Sequence, residues 1–362
     1  MRTQYTITPC NETNCAEWNN FVLNHPQCHR MQTSLWADTK QSNGWVTYIL
    51  TARHNGTLVG GAQLYEHRIP VFGSLVCLPK GPLCESCYED IMPQLLSQIK
   101  KWGHINHKFC LLVQPADQEQ YLVDQLLYEK FSKLADENIV PPGTIIINLE
   151  PDEHTLFKKL SHAKQCNVRR SREAGISVKE GDTQDIETFY TLYLRTSEYL
   201  HFEPDCKTRF ENIWRILCPQ GHIRLFISYF EDQPVSAIIL LCFGSTATCW
   251  RFGWTKEHSE KRPNEALYWH AILWAKEQGF RFFDFGEIEL GAARCLCNDH
   301  KLPESYKCSS VRFKLEFGGT PVLYPETYVY FPNAIVRWLY DTILCKIMNH
   351  PVAQNILAAA AG

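Results

Sequence analysis

The feature that most constrains the fold of this chain is a hairpin pattern that occurs twice. Residues 45–67, WVTYILTARHNGTLVGGAQLYEH, read as two apolar strands joined by an Asn-Gly turn at residues 55–56. Residues 222–244, HIRLFISYFEDQPVSAIILLCFG, read as two strands joined at residues 231–234. A short turn between two apolar runs is typical of a β-hairpin, and Asn-Gly is a strong signal for one.

The elements around the two hairpins follow the same order. A helical pattern precedes each hairpin, a second helix follows it, and an apolar strand comes after that helix. The helices are predicted at 15–23 and 88–102 in the first copy and at 186–200 and 264–278 in the second, and the strands at 109–114 and 280–286. A repeat of about 175 residues predicts a duplicated α/β (α+β) domain rather than a solenoid of short repeats.

The junction between the copies is predicted within residues 137–160. Pro-Pro-Gly at 141–143 interrupts regular structure, a strand follows, and Pro151-Asp152 opens a helix with acidic residues in its first turn. The second copy is complete near Gly319, so the end of the chain is expected to return to the first domain. The predicted domains are residues 1–147 with 321–362, and residues 148–320.

Charge and hydrophobicity exclude several classes of protein. The net charge is −3, so the large basic surface of a dedicated nucleic-acid-binding protein is not expected. Residues 1–15 contain no apolar segment of a signal peptide, and no uncharged run reaches the roughly 18–20 residues of a membrane span. We therefore expect a soluble cytoplasmic protein, whose sixteen cysteines are reduced thiols rather than disulfides.

Two cysteine groups raise the question of a structural metal. The first is a CxxC pair, and the second is a cluster with a nearby histidine. They consist of Cys84 and Cys87, and of Cys295, Cys297, His300 and Cys308. The groups lie far apart in the sequence, and neither has the paired spacing of a zinc ribbon or finger. Scattered thiols are the favoured interpretation, and no metal site is predicted.

One segment concentrates positive charge on this nearly neutral chain. Residues 155–174, TLFKKLSHAKQCNVRRSREA, are predicted to form a single helix. Its cations are Lys158, Lys159, Lys164, Arg169, Arg170 and Arg172. Such a face attracts phosphate backbones, but it is also typical of a solvated helix surface. By spacing alone, the second interpretation is favoured.

Three lysines in distinctive surroundings are candidate ligand-binding residues. Lys40 follows Trp36 by four residues, so on a helix the two share a face. The pair either holds a phosphate and stacks a base, or it is a surface lysine over a half-buried tryptophan. Lys80 precedes Gly-Pro and is placed on a loop, where ligand contacts are frequent. Lys314 lies in RFKLEFGGTPVLY, which reads as a strand; its ammonium either stabilises an oxyanion or phosphate or extends to solvent.

Motifs of the common nucleotide-dependent and hydrolytic enzymes are absent from the sequence. The glycine pairs at 60–61 and 318–319 match neither GxxxxGK nor GxGxxG. The chain also contains no GxSxG and no HExxH. The sequence therefore supports neither an ATP-driven reaction nor a metallohydrolase.

Taken in order along nearly the whole chain, these pieces resemble the Fem family of non-ribosomal peptidyltransferases. Members of that family have two tandem acetyltransferase-like (GNAT-like) domains, and they transfer an amino acid from aminoacyl-tRNA to the stem peptide of a peptidoglycan precursor. The matching motifs are Trp36–Lys40, Lys80-Gly81-Pro82, the basic helix running into residues 172–181, the helix beginning at Asn264 before FFDFGE, and Phe313-Lys314.

The chain departs from the family pattern at several places. Gln114-Pro115 stands where Asp-Pro is frequent, and Arg209 is only a substitute for the arginine of the second domain. Residues 295–308 lengthen the loop before Lys314. No long charged heptad segment is present, so we expect no coiled-coil arm.

The resemblance implies a role for each candidate residue. Lys314, with Phe313, would act in catalysis; Trp36, Lys40, Lys80, Arg209 and Asn264 would bind the precursor in its UDP-linked or lipid-linked form; and the cations of the basic helix would bind tRNA. The first domain would hold the precursor, and the second would carry the catalytic lysine. Because the aminoacyl ester is already activated, no cofactor is expected.

The resemblance also places the protein in cell-wall biogenesis, where it would help to form the interpeptide bridge. We expect a monomer in the cytoplasm. The amphipathic pattern at 334–348 would either contact the inner face of the membrane or close the first domain.

Two other functions remain open from the sequence. One is an acyl-CoA-dependent GNAT-type N-acyltransferase acting on an envelope sugar or peptide, although RRSREAG at 169–175 lacks the glycine-rich turn that usually holds the CoA pyrophosphate. The other is a non-catalytic protein that binds RNA through the basic helix. That function leaves Phe313-Lys314 and Trp36–Lys40 unexplained.

Overall fold

The computed structural model describes residues 3–41, 44–70, 73–116, 120–134, 143–299, 301–306, 309–340 and 342. The chain divides into two compact units. The first unit comprises Met1–Pro142 with Tyr324–Gly362, and the second comprises Gly143–Leu323. Among the described residues, no helix is both long and apolar enough to cross a bilayer.

The first unit contains most of its elements before residue 135. They are β1 (Thr3–Pro9), α1 (Glu12–Asn24), α2 (Ser34–Asp38), β2 (Trp45–His54), β3 (Thr57–Ile69), β4 (Gly73–Pro79), β5 (Leu83–Cys84), α3 (Met92–Ile105), β6 (Cys110–Gln114), α4 (Gln120–Tyr128) and β7 (Ser132–Lys133). Asn11 caps the start of α1, because Asn11 and Asn14 accept from each other's backbone N–H groups in a reciprocal capping box.

The second unit begins at Gly143. Its elements are β8 (Gly143–Asn148), α5 (Glu153–Lys159), α6 (His162–Glu173), β9 (Ser177–Gly181), α7 (Ile186–Leu200), α8 (Lys207–Leu217), β10 (Ile223–Phe230), β11 (Gln233–Phe243), β12 (Thr246–Trp254), α9 (Pro263–Glu277), β13 (Phe282–Ile288), α10 (Leu290–Arg294), α11 (Ser310–Leu315) and β14 (Thr320–Leu323). The chain then returns to the first unit with β15 (Tyr328–Tyr330) and α12 (Ala334–Leu339).

Each unit is built on one mixed sheet. The order in the first is β1-β2-β3-β4-β6-β15-β7, with β5 beside β3, and the order in the second is β14-β8-β13-β12-β11-β10-β9. Each sheet has one parallel pair among its described strands, β4 with β6 and β12 with β13. The first parallel pair is in register over five residues, from Leu75 to Pro79, but the second only over Thr246–Thr248.

In each unit, the helix that follows the hairpin packs against the sheet. Leu95 and Leu96 of α3 are fully buried in the first unit, and Ala271 and Ile272 of α9 are fully buried in the second. Burying a leucine of this kind stabilises a fold by about 1.5–3 kcal/mol. The predicted duplication is confirmed at the level of elements, since both hairpins and the helices after them form in the expected order.

Strand β8 corrects the predicted domain limits. The sequence interpretation assigned residues up to 147 to the first domain, but β8 begins at Gly143 and pairs with β13 and β14 of the second sheet. Ile145 and Ile147 are buried in the second core, which fixes the strand there. Residues 321–323 of β14 also lie in the second sheet, although the interpretation gave them to the first domain.

Two predicted elements differ from the structure near the candidate site. The expected helix at 155–174 is two helices, because the chain is extended at Leu160 and Ser161 caps α6 by accepting a hydrogen bond from the Lys164 N–H. The expected strand around Lys314 is the short helix α11, which Ser309 caps. The predicted helix at 334–348 is described only in part, and its residues 341 and 343–348 lie outside the described residues.

Candidate functional site

The Lys314 ammonium lies against the backbone of strand β13. Its Nζ donates a hydrogen bond to the Glu287 carbonyl oxygen at 2.7 Å and lies 3.5 Å from the Gly286 carbonyl oxygen. Both carbonyls come just after Asp284, where the parallel ladder between β12 and β13 ends. The lysine on α11 is therefore positioned by the irregular end of a neighbouring strand.

The backbone at this point requires glycine. Gly286 has a φ of +72°, and a Cβ there would lie 2.5 Å from the Cys249 carbonyl oxygen. Asp284 accepts hydrogen bonds from the Gly286 N–H at 2.7 Å and from the Thr144 hydroxyl. A residue with a side chain would be strained and would clash, so the turn that presents both carbonyls to Lys314 depends on Gly286.

The environment of Lys314 favours loss of its proton relative to an ordinary lysine. Burial lowers the pKa of the Lys314 ammonium, while electrostatic interactions with Cys249, Asp284 and Glu287 act in the opposite direction. Perturbed lysines of this kind cluster at functional sites, although structural networks also produce them. Its half-buried side chain makes Lys314 a candidate for meeting negative charge.

Phe313 connects Lys314 to the aromatic core of the second unit. Its ring lies 5.3 Å from the rings of Tyr268 and Phe317, measured between centroids. The Lys164 ammonium lies 3.4 Å from the centre of the Phe313 ring. Lys164 is 3% exposed, so its predicted place on the outward basic face is wrong. The first turn of α6 points this side chain inward.

The other five predicted basic residues do form an exposed face. They are Lys158, Lys159, Arg169, Arg170 and Arg172. Within the described ranges, none of the five belongs to an ion pair, and Arg169 lies 5.2 Å from the centre of the Phe157 ring. The outward surface of α5 and α6 therefore carries five exposed cations that form no ion pair with the part of the chain that the structure describes.

Asn264 and Arg209 have different surroundings. Asn264 lies in the first turn of α9, and its Oδ1 atom is buried without a hydrogen bond to any part of the chain that the structure describes. Arg209 donates to Asp205 at 2.5 Å, and the other oxygen of Asp205 accepts from Arg251 at 3.0 Å. Arg209 is thus part of a bridge of two guanidinium groups and one carboxylate.

In the first unit, Trp36 and Lys40 are adjacent but not in the predicted way. Helix α2 ends at Asp38, so Lys40 lies beyond it, and its Nζ is 5.5 Å from the centre of the Trp36 ring. Trp36 is fully buried, which excludes stacking of a base on its face. The Arg30 guanidinium lies 5.2 Å from the same ring.

Lys80 brings a third cation to this region. It has a φ of +56°, is 3% exposed, and places its ammonium 3.3 Å from the centre of the Tyr324 ring. Burial lowers the pKa of His29 well below its usual value, and the charges of Arg30 and Lys80 lower it further. Arg30, Lys40 and Lys80 therefore form a positively charged group in the first unit, which we call the cation group.

No metal centre forms within the described ranges, where no three His, Cys, Asp or Glu side chains lie close enough to hold an ion. Of the predicted cysteine cluster, His300 and Cys308 lie outside the described residues. Cys84, Cys87, Cys295 and Cys297 are free thiols.

Sequence reasoning missed four residues of these arrangements: Arg30, Glu265, Gly286 and Tyr324. Glu265 binds Lys164 at 3.1 Å. A detectable signal existed only for Gly286, because a glycine inside an apolar strand often marks a bulge, and β13 has one between Asp284 and Glu287. Glu265 and Tyr324 lie far along the chain from Lys164 and Lys80, the residues that they contact.

Comparison with known families matches each unit separately. A model described as "FemAB family" matches residues 13–125, and a model described as "Acetyltransferase (GNAT) domain" matches residues 161–301. The first match lies within the first unit and the second within the second unit.

Similar proteins include two lipid II:glycine glycyltransferases of staphylococci. The one from Staphylococcus haemolyticus is 25% identical over 229 residues, which are 60% of this chain and 55% of the relative. The one from Staphylococcus aureus is 24% identical over 227 residues, with coverage of 60% and 54%. The chain thus spans about half the length of these curated relatives.

Solved structures share the fold at low sequence identity. The crystal structure of FemX has a TM-score of 0.78 and 18% identity, covering 93% of this chain and 99% of that one. A tandem GNAT protein from the clavulanic acid biosynthesis pathway has a TM-score of 0.54 and 11% identity, covering 91% and 99%. The fold is therefore a pair of tandem GNAT-like domains, as predicted.

Proposed function

The chain is a member of the Fem family, and from this premise we propose that it transfers an amino acid from aminoacyl-tRNA to the stem peptide of a peptidoglycan precursor. The position of the Lys314 ammonium carries this proposal. A glycine-dependent turn of β13 fixes that charge at the Glu287 carbonyl. The relatives named lipid II:glycine glycyltransferase support the class of reaction and of acceptor.

The chemistry assigned to Lys314 is electrostatic. The amine of the acceptor peptide attacks the carbonyl carbon of the aminoacyl ester, and a tetrahedral oxyanion forms. A C–N bond is made, the C–O bond to the tRNA ribose breaks, the amine loses a proton and the ribose oxygen gains one. An ammonium held in a fixed position stabilises the oxyanion without reorganising, and a contact of this type contributes about 10²–10³ in rate.

The donor is assigned to the basic face of α5 and α6. Five exposed cations lie on this face, and none is compensated by an ion pair within the described residues. RNA backbones bind such surfaces through their phosphates, with an affinity that falls as salt rises. We assign the face to the acceptor arm of the charged tRNA.

The acceptor is assigned to the cation group of the first unit. Lys40 and Lys80 carry the positive charge that the phosphates of a precursor require, whether it is UDP-linked or lipid-linked. Trp36, being buried, acts as a support beneath Lys40 rather than as a stacking surface. Arg209 and Asn264 are assigned to substrate contacts of the second unit, and the buried, unbonded Oδ1 of Asn264 supports its assignment.

A second donor is tested beside the first, because the match to a GNAT domain model over residues 161–301 favours acyl-CoA. The purified protein is incubated with a UDP-linked or a lipid-linked muropeptide. One reaction receives a pool of charged tRNAs and the other receives acetyl-CoA. The mass of the acceptor is then measured by mass spectrometry.

We expect a mass gain of one amino acid that requires charged tRNA, disappears after ribonuclease treatment and identifies the amino acid. A gain of one acetyl group would assign the protein to the CoA-dependent acyltransferases instead. No gain with either donor would overturn the assignment to peptidoglycan precursors.

A further inference from the structure

A buried lysine joins the basic helix α6 to the helix that carries Lys314. The Lys164 ammonium lies 3.4 Å from the centre of the Phe313 ring and 5.2 Å from that of Phe317. Glu265 of α9 accepts from this ammonium at 3.1 Å and is itself 6% exposed. A cation over an aromatic ring is more strongly attracted when it is removed from water, and here Lys164 is buried while Phe313 is partly buried.

Neighbouring contacts join α6 both to α9 and to the end of α11. Asn167 of α6 also donates to the Glu265 carboxylate, at 3.0 Å. The Ser161 N–H donates to the Glu316 carbonyl oxygen at 2.8 Å, just beyond the end of α11. The carboxylate of Glu316 lies 4.0 Å from the Lys164 ammonium. The start of α6 and the end of α11 therefore meet at a backbone hydrogen bond and at a longer ion pair with Glu316, while the buried ion pair with Glu265 joins α6 to α9.

This arrangement has a direct consequence for Lys314, because Phe313 is its neighbour in a helix of only six residues. In so short a helix, the packing of the Phe313 ring, together with that of the buried Val311 and Phe317, sets where the Lys314 side chain leaves the backbone. A group that fixes this ring also fixes the direction from which the Lys314 ammonium reaches Glu287.

We propose that Lys164, held in place by Glu265, is a positioning residue that orients Phe313 and thereby the Lys314 ammonium. Lys164 then belongs to the basic helix in sequence but acts on the side opposite to the RNA-facing surface. The effect on catalysis rests on the proposed aminoacyl transfer. The contacts between Lys164, Glu265 and Phe313 do not depend on that reaction.

The test uses a variant that leaves no buried charge unpaired. Lys164→Met combined with Glu265→Gln removes both charges and preserves the approximate volume of each side chain. Lys164→Arg keeps a cation over the ring. Lys158→Met is the matched control, because Lys158 is an exposed lysine on the neighbouring helix α5.

The kinetic measurement separates positioning from tRNA binding. For the double variant we expect kcat to fall between about tenfold and about a hundredfold, the cost of a small misplacement of a catalytic group. KM for charged tRNA should stay unchanged. Lys164→Arg should recover most of kcat, and Lys158→Met should raise KM alone. An unchanged kcat in the double variant, or a rise in KM alone, would overturn the inference.

A second measurement needs no reaction. Lysines are reductively dimethylated with ¹³C-formaldehyde and a borane reductant, and the Lys314 methyl signal is assigned by its loss in Lys314→Arg. The double variant should shift this signal in the substrate-free protein, whereas Lys158→Met should not. If the wild type transfers no amino acid, the proposed function fails, and this signal still decides the positioning inference.

A second variant keeps the test decisive if the double variant does not fold. If that variant does not fold, Phe313→Leu removes only the ring beneath the ammonium and must shift the same Lys314 signal. An unmoved Lys314 signal in whichever variant folds would contradict a positioning role for Lys164.

Discussion

The Lys314 ammonium donates a hydrogen bond of 2.7 Å to the main-chain carbonyl oxygen of Glu287. Its partner is backbone rather than a carboxylate, so the ammonium is oriented while much of its charge stays uncompensated at short range. The Gly286 carbonyl lies 3.5 Å away on the same turn. The position of the charge therefore depends on the backbone of β13.

Replacing Gly286 with alanine should disturb both the fold and the rate. Its Cβ would lie 2.5 Å from the Cys249 carbonyl oxygen, in addition to the strain of a positive φ. We expect the free energy of unfolding to fall by about 2–4 kcal/mol and kcat to fall with it.

Gly279→Ala is the matched control for this variant, because Gly279 also has a positive φ of +84° but nothing within 4 Å of an added Cβ. It should lose about 1 kcal/mol and keep its kcat. Urea denaturation and kcat are measured on both variants. Equal losses of stability and rate in the two would show that the close contact with Cys249 is irrelevant to Lys314.

The fall of kcat at alkaline pH should report deprotonation of the Lys314 ammonium. A lysine is charged below its pKa, so oxyanion stabilisation is present at lower pH and is lost as pH rises through that pKa. Burial lowers the pKa of Lys314, and Cys249, Asp284 and Glu287 oppose this shift. The apparent pKa of this fall in kcat should therefore lie below the value of about 10.4 for a free lysine.

Lys314→Arg should move this fall in kcat out of the accessible range, since a guanidinium stays protonated. Single-turnover rates between pH 7 and pH 10 are compared for the two proteins, and hydrolysis of the charged tRNA is subtracted with a reaction that lacks the acceptor. The same fall in both would assign the titration to another group.

Neutralising the outward basic face should weaken tRNA binding without changing chemistry. In Arg169→Gln/Arg170→Gln/Arg172→Gln, we expect KM for charged tRNA to rise and kcat to stay constant. The slope of log affinity against log salt should fall by about 2–3, because each lost phosphate contact contributes about 0.7–0.9.

Arg281→Gln is the control for the basic face, since Arg281 is an exposed arginine of the same unit that pairs with Glu150. Filter binding at several salt concentrations measures the slope. An unchanged salt dependence in the triple variant would exclude this face as the site of tRNA binding.

His29 should make the first unit sensitive to acid. Its pKa in the fold is depressed by burial and by Arg30 and Lys80. The unfolded chain therefore binds a proton that the folded protein does not, so the contribution of His29 is complete above the unfolded pKa of about 6.5 and is lost as pH falls below it. Between pH 6.5 and 5.5 the expected loss is about 1 kcal/mol.

His29→Asn tests this assignment, because asparagine can replace the ring nitrogen that accepts from the Met31 N–H. The variant should lack the acid-dependent loss. Denaturant unfolding of both proteins at pH 6.5 and pH 5.5 gives the difference. An equal loss in the variant would assign the acid sensitivity to other groups.

The sequence was informative where the pattern is local. The hairpin at Asn55-Gly56 and the helix Ile186–Leu200 form as predicted, because a turn residue or a helical period is contained within a few residues. The segment around Lys314 was misread, since apolar residues at 313, 315 and 317 fit a strand while 313 and 317 also fit one face of a helix. Capping by Ser309 favours the helix.

Contacts between residues that are distant in the sequence explain why the surroundings of Lys164 and Lys80 were not predicted. Lys164 was counted among exposed cations because its partner, Glu265, lies 101 residues away in the chain. Lys80 was placed on a loop without its contact to Tyr324, which belongs to the returning segment. A count of charges cannot tell which side of a helix faces the core, and the fold alone supplies these partners.

The most direct test of aminoacyl transfer through Lys314 is a single-turnover experiment. Wild type and Lys314→Met, each in excess over charged tRNA, are mixed with the muropeptide acceptor, and the rate of amide formation is measured alongside tRNA binding. Methionine preserves the length of the side chain and removes its charge. We predict a rate lower by about 10²–10³ with tRNA binding unchanged. Transfer by Lys314→Met at the wild-type rate would contradict the proposed role of this ammonium.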